Sequence, residues 1–294
     1  EVQEIAAGLK TAGPFLRGTS PVRSGLAIHM SSTASFVFGC QPMTNGFRYQ
    51  EQLASAYRPL LEAQLRPDMV DPAADLGSYK VVVSPFLPWI GESGLQARLK
   101  TWIEGGGTWV AGPMTDVRNG DGAKYTHAPY GVLEKWMGVR CRYQIPAQPR
   151  QFAIRWQDGS QQNGSCWYDG LDPRGCNVLA RYVEGPLEGL AAVVEKKIGR
   201  GRVILLGTMP EQAGFTTLIK SICSSAGIEP VAEASPNLVV APRSGKGGRG
   251  WVVVEVHNTG GRVVLPKPAR DLLTGRQLEG EVTVAPYGVH VLKF

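Results

Sequence analysis

The chain has 294 residues, 43% of them hydrophobic, and its 31 Lys+Arg against 25 Asp+Glu give a formal net charge of +6. This apolar content is enough for a packed core, which excludes a disordered chain, and the length predicts about two domains. No run approaches the roughly 18 apolar residues of a membrane span, so a membrane protein is not expected.

The first half of the sequence predicts alternating helices and strands. Apolar residues at helical spacing predict a helix over residues 1–17, and the apolar run 26–30 predicts a buried strand. Residues 31–46 are mostly small or polar, which predicts a loop that carries two phenylalanines. A helix over residues 47–65 is predicted after this loop.

The next segments continue the alternation. The apolar run 79–84 predicts a strand covered on both faces, and residues 95–104 have the spacing of an amphipathic helix that ends at three glycines. Residues 108–111 predict another strand, and residues 129–137 predict another helix. Strands and helices in alternation predict a parallel sheet with right-handed crossovers.

The rest of the chain changes character twice. Residues 139–182 are rich in Gln, Asn, Gly and isolated aromatics, and they predict an antiparallel insertion. Two strands and a helix over 190–227 end the α/β part, after which every predicted element is a strand. We therefore predict a linker helix over 1–20, an α/β domain over 21–232 and a small antiparallel β domain over 233–294.

The sequence has no evident catalytic arrangement. A nucleophile elbow needs Ser or Cys at the bend after a strand, but the best-placed bend carries Met114 and Thr115. Cys40 lies in the predicted loop, and we interpret it as an ordinary thiol. The glycines at 105–107 and 199–201 are typical of a helix end and a turn, not of phosphate loops. We predict no catalytic, cofactor-binding or metal-binding residue, and no cofactor.

Charge and cysteine content limit the partners and the compartment. Basic residues cluster at 196–202 and 243–249, but no aromatic reader motif accompanies them, so no nucleic-acid partner is expected. The five cysteines lack the spacing of a zinc site or a disulfide framework, although one bridge between Cys166 and Cys176 stays open. No secretory leader is recognisable, and we expect a reducing, cytoplasmic environment.

Short segments along the chain form an ordered series. They are QPMTNGFRY (41–49), YRPL (57–60), DMVDP (68–72), ADLGSYKVVV (74–83), EGGGT (104–108), VLARY (178–182), GRGRV (199–203), DLLTG (271–275) and APYGV (285–289). In this order they resemble the middle domain and the C-terminal β domain of glycoside hydrolase family 42 β-galactosidases. The resemblance covers nearly the whole chain, and it is loose over 143–175. Residues 29–38 depart from the family's Asp- and Trp-rich stretch.

The resemblance implies a trimerisation domain of flavodoxin-like or amidotransferase-like α/β fold, followed by a small β domain. In that family the catalytic glutamates lie on a (β/α)8 barrel that precedes these domains, and no segment of this sequence resembles the barrel. The chain is therefore expected to be the non-catalytic assembly and C-terminal region of a β-galactosidase that acts on β-galactosides. Its expected partners are further copies of itself, in a trimer, and the catalytic barrel.

Aromatic residues in predicted loops are candidates for the subunit interface, because a monomer would leave their apolar surface in water. We predict this interface at four aromatic residues, namely Phe36, Phe38, Trp89 and Trp167.

Two alternative functions stay open. A stand-alone enzyme of amidotransferase-like fold would need a nucleophile at Met114 or Thr115. A module that binds carbohydrate or a polyanion would use Trp156, Trp167 and Tyr168. The competing interpretation of these three aromatics is that they belong to the core or to an interface.

Overall fold

The computed structural model describes residues 2–42, 44–91, 94–146 and 151–294. Glu1, Met43 and residues 147–150, which fall in the predicted first helix, the predicted loop and the predicted insertion, lie outside the described residues. In the described part, no helix is both long and apolar enough to cross a membrane. The helices there are α1 (Val2–Arg17), α2 (Ser32–Cys40), α3 (Tyr49–Glu62), α4 (Leu95–Glu104), α5 (Leu133–Met137) and α6 (Gln212–Ser225). The strands are β1 (Ser20–Pro21), β2 (Leu26–His29), β3 (Asp68–Val70), β4 (Val81–Ser84), β5 (Thr108–Ala111), β6 (Val139–Pro146), β7 (Ala153–Trp156), β8 (Gln161–Ser165), β9 (Trp167–Pro173), β10 (Asn177–Tyr182), β11 (Ala191–Ile198), β12 (Gly201–Leu206), β13 (Met209–Pro210), β14 (Leu238–Gly245), β15 (Gly248–Glu255), β16 (Gly261–Val264), β17 (Ala269–Asp271), β18 (Gln277–Leu278), β19 (Glu281–Val284) and β20 (Val289–Lys293).

The chain forms two compact units. The α/β unit comprises Gly25–Pro59 and Pro67–Gly227. The β unit comprises Glu1–Ser24, Leu60–Arg66 and Ile228–Phe294, so it draws on both ends of the chain.

The α/β unit is built on five parallel strands in the spatial order β12-β5-β4-β2-β3. Every residue of β2, β4 and β5 is buried, as their uninterrupted apolar runs predict for strands covered on both faces. Because β3 lies on one side of β2 and β4 on the other, the winding reverses between β2 and β4. The predicted parallel sheet is confirmed.

An antiparallel extension continues this sheet beyond β12. Strand β11 pairs with β12, and β10, β7, β8 and β13 follow in order, while β6 and β9 form a ribbon that joins at β11. The predicted change of character over 139–182 therefore marks a real antiparallel insertion, and the predicted α/β fold class is confirmed.

The prediction of a loop over 31–46 is wrong, because α2 occupies most of it. The Ser31 side chain caps this helix, because its hydroxyl accepts a hydrogen bond from the Ala34 N–H at 3.0 Å. The Ser31 N–H in turn donates to the Tyr49 hydroxyl at 2.9 Å. The ring of Phe38 packs on Phe47 and Tyr49 at centroid distances of 5.1 and 6.3 Å. The small residues of this segment show no helical spacing of apolar side chains, and their helix propensity is low. The cap and the aromatic packing supply the stability of the helix.

The predicted helix over 129–137 begins four residues late, at Leu133. Asp116 explains the start, since its carboxylate accepts the backbone N–H groups of Val132 and Leu133 at 2.6 and 3.3 Å. A cap supplied by a residue 16 positions earlier leaves no local signal in the sequence.

The β unit contains a six-stranded antiparallel sheet in the order β1-β14-β15-β20-β17-β18 and a separate ribbon of β16 and β19. Helix α1 belongs to this unit, where Ala12 and Phe15 form a small core with Val291. Arg243 donates to the carbonyl oxygens of Leu16 and Thr19 at 2.9 and 2.6 Å. One member of the basic cluster over 243–249 therefore stabilises the carboxyl end of α1, where a cation is favourable.

Glu255 organises a turn in the β unit. Its carboxylate is almost fully buried, and it accepts hydrogen bonds from the backbone N–H groups of Tyr287, His257 and Asn258 and from the Asn237 amide at 2.7–2.9 Å. Burial alone would raise the pKa of Glu255, but these hydrogen bonds outweigh it and hold the pKa at about 2.

The depressed pKa of Glu255 predicts a specific acid sensitivity. The stability that the carboxylate contributes is complete above about pH 4.5, its unfolded value, and is lost as the pH falls towards about 2. Glu255→Gln should lower Tm at pH 7 and flatten the loss of stability between these pH values. Thermal unfolding across this range measures both effects, with Glu281→Gln, an exposed partner of Arg262, as control. Parallel pH profiles for the wild type and Glu255→Gln would contradict this role.

Gly112, in the bend after β5, lies against neighbouring backbone, because a Cβ atom there would lie 1.9 Å from the Pro85 carbonyl oxygen. We expect Gly112→Ala to lower the free energy of unfolding by about 3 kcal/mol or more, since backbone on both sides must move. Gly39→Ala is the matched control, because nothing lies within 4 Å of its Cβ position and alanine favours helix α2. Urea denaturation distinguishes the two, and equal stabilities would contradict the steric argument.

Candidate functional site

The carboxyl end of the parallel sheet is where ligand sites form in folds of this class, at the point where the winding reverses. In this protein that point lies between the ends of β2 and β4, at His29 and Ser84. The bend after β5 lies beside it, since the Gly112 N–H donates to the Ser84 carbonyl at 2.8 Å. Chemistry performed by the α/β unit would be expected at this edge.

Three buried side chains meet at the reversal point. The Trp109 indole N–H donates to Ser84 Oγ at 2.8 Å, and Ser84 Oγ lies 2.8 Å from His29 Nδ1. Because the indole can only donate, the Ser84 oxygen accepts there and its own hydrogen can go to Nδ1. Burial lowers the pKa of His29 to about 4, against the opposing charge of Asp71, so the ring is neutral at pH 7.

This triad stabilises the fold and does not react. His29 is 2% exposed, while Ser84 and Trp109 are fully buried. The Ser84 hydroxyl therefore cannot reach a substrate from outside. The Ser–His contact joins two neighbouring strands where their side chains would otherwise leave buried polar atoms unpaired.

The bend after β5 has the backbone of an elbow but no nucleophile. Met114 adopts a positive φ of 61°, which is unusual for a side chain of its size. Both Met114 and Thr115 are fully buried, and the Thr115 hydroxyl faces the Ser84 carbonyl at 3.5 Å. A thioether has no proton to lose, and a buried hydroxyl cannot attack. This geometry gives no support to the stand-alone amidotransferase-like enzyme.

Next to the reversal point, α2 borders two small cavities of about 20 and 90 Å³. Their shared lining includes Ser31, Thr33 and Leu95, and Trp89 closes one of them. Ligand sites for molecules of ordinary metabolite size have about 300–1,000 Å³. These cavities are too small to hold a sugar ring.

The four predicted interface residues occupy different environments. Phe36 on α2 is 72% exposed and Trp89 is half-buried, whereas Phe38 and Trp167 are only 2% and 4% exposed. Phe38 lies in the aromatic cluster described above, and the Trp167 indole donates to Asp169 at 2.8 Å. The expectation that these aromatics lie in loops is therefore wrong for Phe36 and Phe38, which lie on α2, and for Trp167, which lies on β9. Of the four, Phe36 and Trp89 are accessible to a second subunit.

The aromatics of the predicted carbohydrate-binding module separate in the same way. Trp167 and Tyr168 are buried, and the Tyr168 hydroxyl donates to the Gly164 carbonyl at 2.9 Å. Neither ring can stack on a sugar. Trp156, which is half-buried, is the member of this set that solvent reaches.

Sequence reasoning missed Asp169, a fully buried carboxylate in the insertion. It accepts the Tyr130 hydroxyl at 2.5 Å and the Trp167 indole at 2.8 Å, and burial raises its pKa to about 6 against these hydrogen bonds. A single acid in a polar segment carries no sequence signal, and its partners are 39 and 2 residues away. Through the hydrogen bond from Tyr130, Asp169 connects strand β9 to the loop before α5.

One member of the basic cluster over 196–202, Arg202, has a structural role that it shares with Lys80. Arg202 pairs with Glu195 at 2.9 Å and donates to Ser225 Oγ at 2.8 Å, and Lys80 donates to the Ala226 carbonyl at 3.0 Å. These cations lie at the carboxyl end of α6, where they offset the helix dipole.

The described residues hold neither a metal-binding cluster nor a disulfide. Within the four described ranges, no group of three His, Cys, Asp or Glu side chains could hold a metal ion. None of the five cysteines, all of them described, forms a disulfide, so the bridge between Cys166 and Cys176 that the sequence leaves open is not formed.

Exposed apolar side chains remain on the edge strand β3, just after β2 and on α2, and we call the three residues Met30, Phe36 and Met69 together the edge patch. Their exposed fractions are 48%, 72% and 44%. Met69 pairs with Ile28, two residues before Met30, and the Met30 N–H donates to the Val70 carbonyl. By strand alternation Met30 and Met69 therefore lie on the same face of the sheet. A patch of this kind is typical of a protein–protein contact.

Comparison with known families assigns most of the chain. The family model described as "Beta-galactosidase trimerisation domain" matches residues 25–229, and the model described as "Beta-galactosidase C-terminal domain" matches residues 237–294.

Two similar proteins are the β-galactosidases YesZ of Bacillus licheniformis and of Bacillus subtilis. They are 29% and 28% identical to this chain over 95% and 97% of its length. The chain spans 42% and 43% of their lengths, so it corresponds to part of each.

Solved structures give the same result for the fold. A β-galactosidase from Bacillus circulans sp. alkalophilus superposes with a TM-score of 0.88 at 20% identity, over 97% of this chain and 43% of that protein. A β-galactosidase from Halorubrum lacusprofundi superposes with a TM-score of 0.81 at 25% identity, over 95% of this chain and 41% of that protein.

The buried triad predicts the effect of removing its central hydroxyl. Ser84→Ala leaves the Trp109 indole N–H and His29 Nδ1 without a partner, and we expect the free energy of unfolding to fall by about 1–3 kcal/mol. Ser55→Ala is the control, because this exposed hydroxyl bonds only to a carbonyl of its own helix. Urea denaturation measures the difference. Equal losses in both variants would contradict a role for Ser84 in joining β2 to β4.

Proposed function

Because the chain belongs to the glycoside hydrolase family 42 β-galactosidases, we propose that it is the assembly and C-terminal region of such an enzyme. In this proposal the α/β domain over 21–232 holds the subunits together, and the linker helix over 1–20 and the β domain over 233–294 accompany it. Hydrolysis of the β-galactoside belongs to a barrel domain of the parent protein. The match of residues 25–229 to the trimerisation domain is the observation that carries the proposal.

The edge patch supports an assembly role. A closed trimer uses one heterologous contact repeated three times, so each subunit presents two different surfaces. The edge patch combines an outer strand with exposed Phe36, and both features suit a contact with a second subunit. Trp89, half-buried beside α2, is the second predicted interface residue that remains accessible.

The state of the buried carboxylates agrees with a non-catalytic role. A glycosidase needs two carboxyl groups that face a cleft, one as acid and one as nucleophile or base. The buried carboxylates Asp116, Asp169, Glu255 and Asp271 instead accept hydrogen bonds from backbone or side-chain donors within this chain. The unbridged cysteines agree with a reducing, cytoplasmic environment for the parent enzyme.

Sedimentation of the full chain tests the proposal. We expect a concentration-dependent equilibrium between monomer and trimer, and Phe36→Ser should weaken association at least tenfold. The reason is that a phenylalanine side chain buried in a contact contributes about 1.5–3 kcal/mol, and about 1.4 kcal/mol is a factor of ten.

The control is Tyr143→Ser, which removes an aromatic side chain of 56% exposure on β6. It should leave association unchanged. A chain that stays monomeric at the highest concentration would contradict the assembly role, and a trimer insensitive to Phe36→Ser would contradict the edge patch.

A further inference from the structure

A groove of about 440 Å³ lies between helix α6 and the hairpin of β7 and β8 in the α/β unit. Its size falls within the range of sites for small molecules. Residues of the hairpin and of the helix line it, among them Trp156, Asp158, Gln162, Thr217, Leu218 and Ser221. The edge patch has no residue in this groove, so the proposed assembly contact leaves the groove open.

The ring of Trp156 lies on the face of the hairpin that is turned towards α6. Ile154 and Gln162 are direct partners in the antiparallel pair of β7 and β8. Because side chains alternate along a strand, Trp156 shares the face of Ile154 and Gln162. Contact with the helix identifies this face, since a Cβ atom at Gly214 of α6 would collide with the Gln162 side-chain amide. Trp156, Gln162 and α6 therefore border one surface.

Helix α6 is fixed beside the hairpin but leaves the ring uncovered. Glu211, just before the helix, donates its N–H to the Asn163 carbonyl at 3.0 Å and accepts from the Asn163 side-chain amide at 3.0 Å. Three residues of α6 that line the groove lie three or four positions apart, on one stripe of the helix, namely Gly214, Thr217 and Ser221. Their short side chains do not reach across the groove, and Trp156 stays half-buried.

A fixed carboxylate borders the same groove. Ser160 donates from its N–H and its hydroxyl to Asp158 Oδ1 at 2.9 and 2.6 Å, which orients the Asp158 side chain at the hairpin turn. The side-chain and backbone hydrogen bonds from Ser160 lower the pKa of Asp158, so this carboxylate is charged at pH 7. A carboxylate has about four lone-pair sites. Asp158 therefore keeps acceptor capacity for the hydroxyl groups of a ligand.

We propose that this groove binds a neutral oligosaccharide, with one pyranose against the Trp156 ring and its hydroxyls on Asp158 and the Gln162 amide. An aromatic ring offers an apolar face to the C–H groups of a pyranose, and carboxylate and amide groups bind its hydroxyls. A quaternary ammonium ligand would need a cage of several rings, but Trp156 is the one aromatic among the described residues that line the groove. This site goes beyond the proposed assembly function and does not depend on it.

NMR titration of the isotope-labelled full chain tests this site with three neutral probes. They are β-1,4-galactotriose, cellotriose and mannotriose. The signal to follow is the indole N–H of Trp156, which is identified by its loss in Trp156→Phe. We expect at least one probe to shift this signal saturably, and the acidic trisaccharide trigalacturonate to bind more weakly because Asp158 repels it. If none of the neutral probes shifts the signal, or if trigalacturonate binds more tightly than all three, the proposal is overturned.

Matched substitutions on α6 separate binding from folding. Ser221→Leu fills the groove, whereas Ser224→Leu makes the same change at an exposed position of the helix that does not line it. Leucine favours a helix more than serine does, so Tm should be retained or raised in both variants. We expect Ser221→Leu to weaken binding of the trisaccharide about tenfold or more, and Ser224→Leu to leave it unchanged. Equal affinities of the two variants would contradict the assigned groove.

Two further measurements decide the nature of the ligand. Loss of the ring in Trp156→Ala should weaken binding of the trisaccharide about tenfold, and unchanged affinity would show that no sugar packs on it. Choline is the competing probe, because a single ring beside a carboxylate also attracts a cation. If choline binds more tightly than every trisaccharide, the groove takes a cation and the saccharide assignment is wrong. Weaker binding of choline than of the trisaccharide supports the assignment.

Discussion

Buried carboxylates need a full set of hydrogen bonds, and the loops of this protein are arranged to supply them. Asp116 gathers the N–H groups at the start of α5, and Asp169 binds Tyr130 and Trp167. In the β unit Glu255 gathers one turn, and Asp271 binds the Thr274 hydroxyl, the Leu273 N–H and His290. Each acid fixes the conformation of segments that contain little regular structure. Because their oxygens are occupied in this way, these acids are structural groups and not general acids or bases.

The carboxyl edge of the parallel sheet is likewise occupied by buried groups that bind or pack against one another. Folds of this type place reactive groups at the ends of β2, β4 and β5, yet here those ends carry a buried triad and a methionine. The positive φ of Met114 keeps the sharp bend that a nucleophile would need. The bend is therefore present in the backbone, but buried and unreactive side chains occupy the positions where reactive groups would lie. In the α/β unit the edge patch is a surface that stays available for function.

Sequence reasoning succeeded where one local pattern decides the structure. The apolar runs of β4 and β5 and the helical spacing of α4 identify these elements because burial on both faces, or on one stripe, leaves a direct trace. It failed at α2, because the residues of this helix have weak helix propensity. The helix is stabilised instead by the Ser31 cap and by the contacts of Phe38 with Phe47 and Tyr49. This error also affected two of the predicted interface residues, Phe36 and Phe38. In a strand Phe36 and Phe38 would share a face, but in a helix residues two apart point to different sides. One ring is therefore exposed and the other buried.

The composition of the β unit has a consequence for how the chain is made. Helix α1 and strand β1 are synthesised before the α/β unit, but their partners, Val291 in β20 and the strand β14, are synthesised after it. On the ribosome, where domains form as soon as their residues emerge, the α/β unit has all of its segments before residues 228–294 exist. The amphipathic α1 therefore lacks its partner Val291 until the residues of β20 have been synthesised. Within this chain the order of synthesis makes the β unit close after the α/β unit, and its closure joins strands from before and after the α/β unit into one sheet.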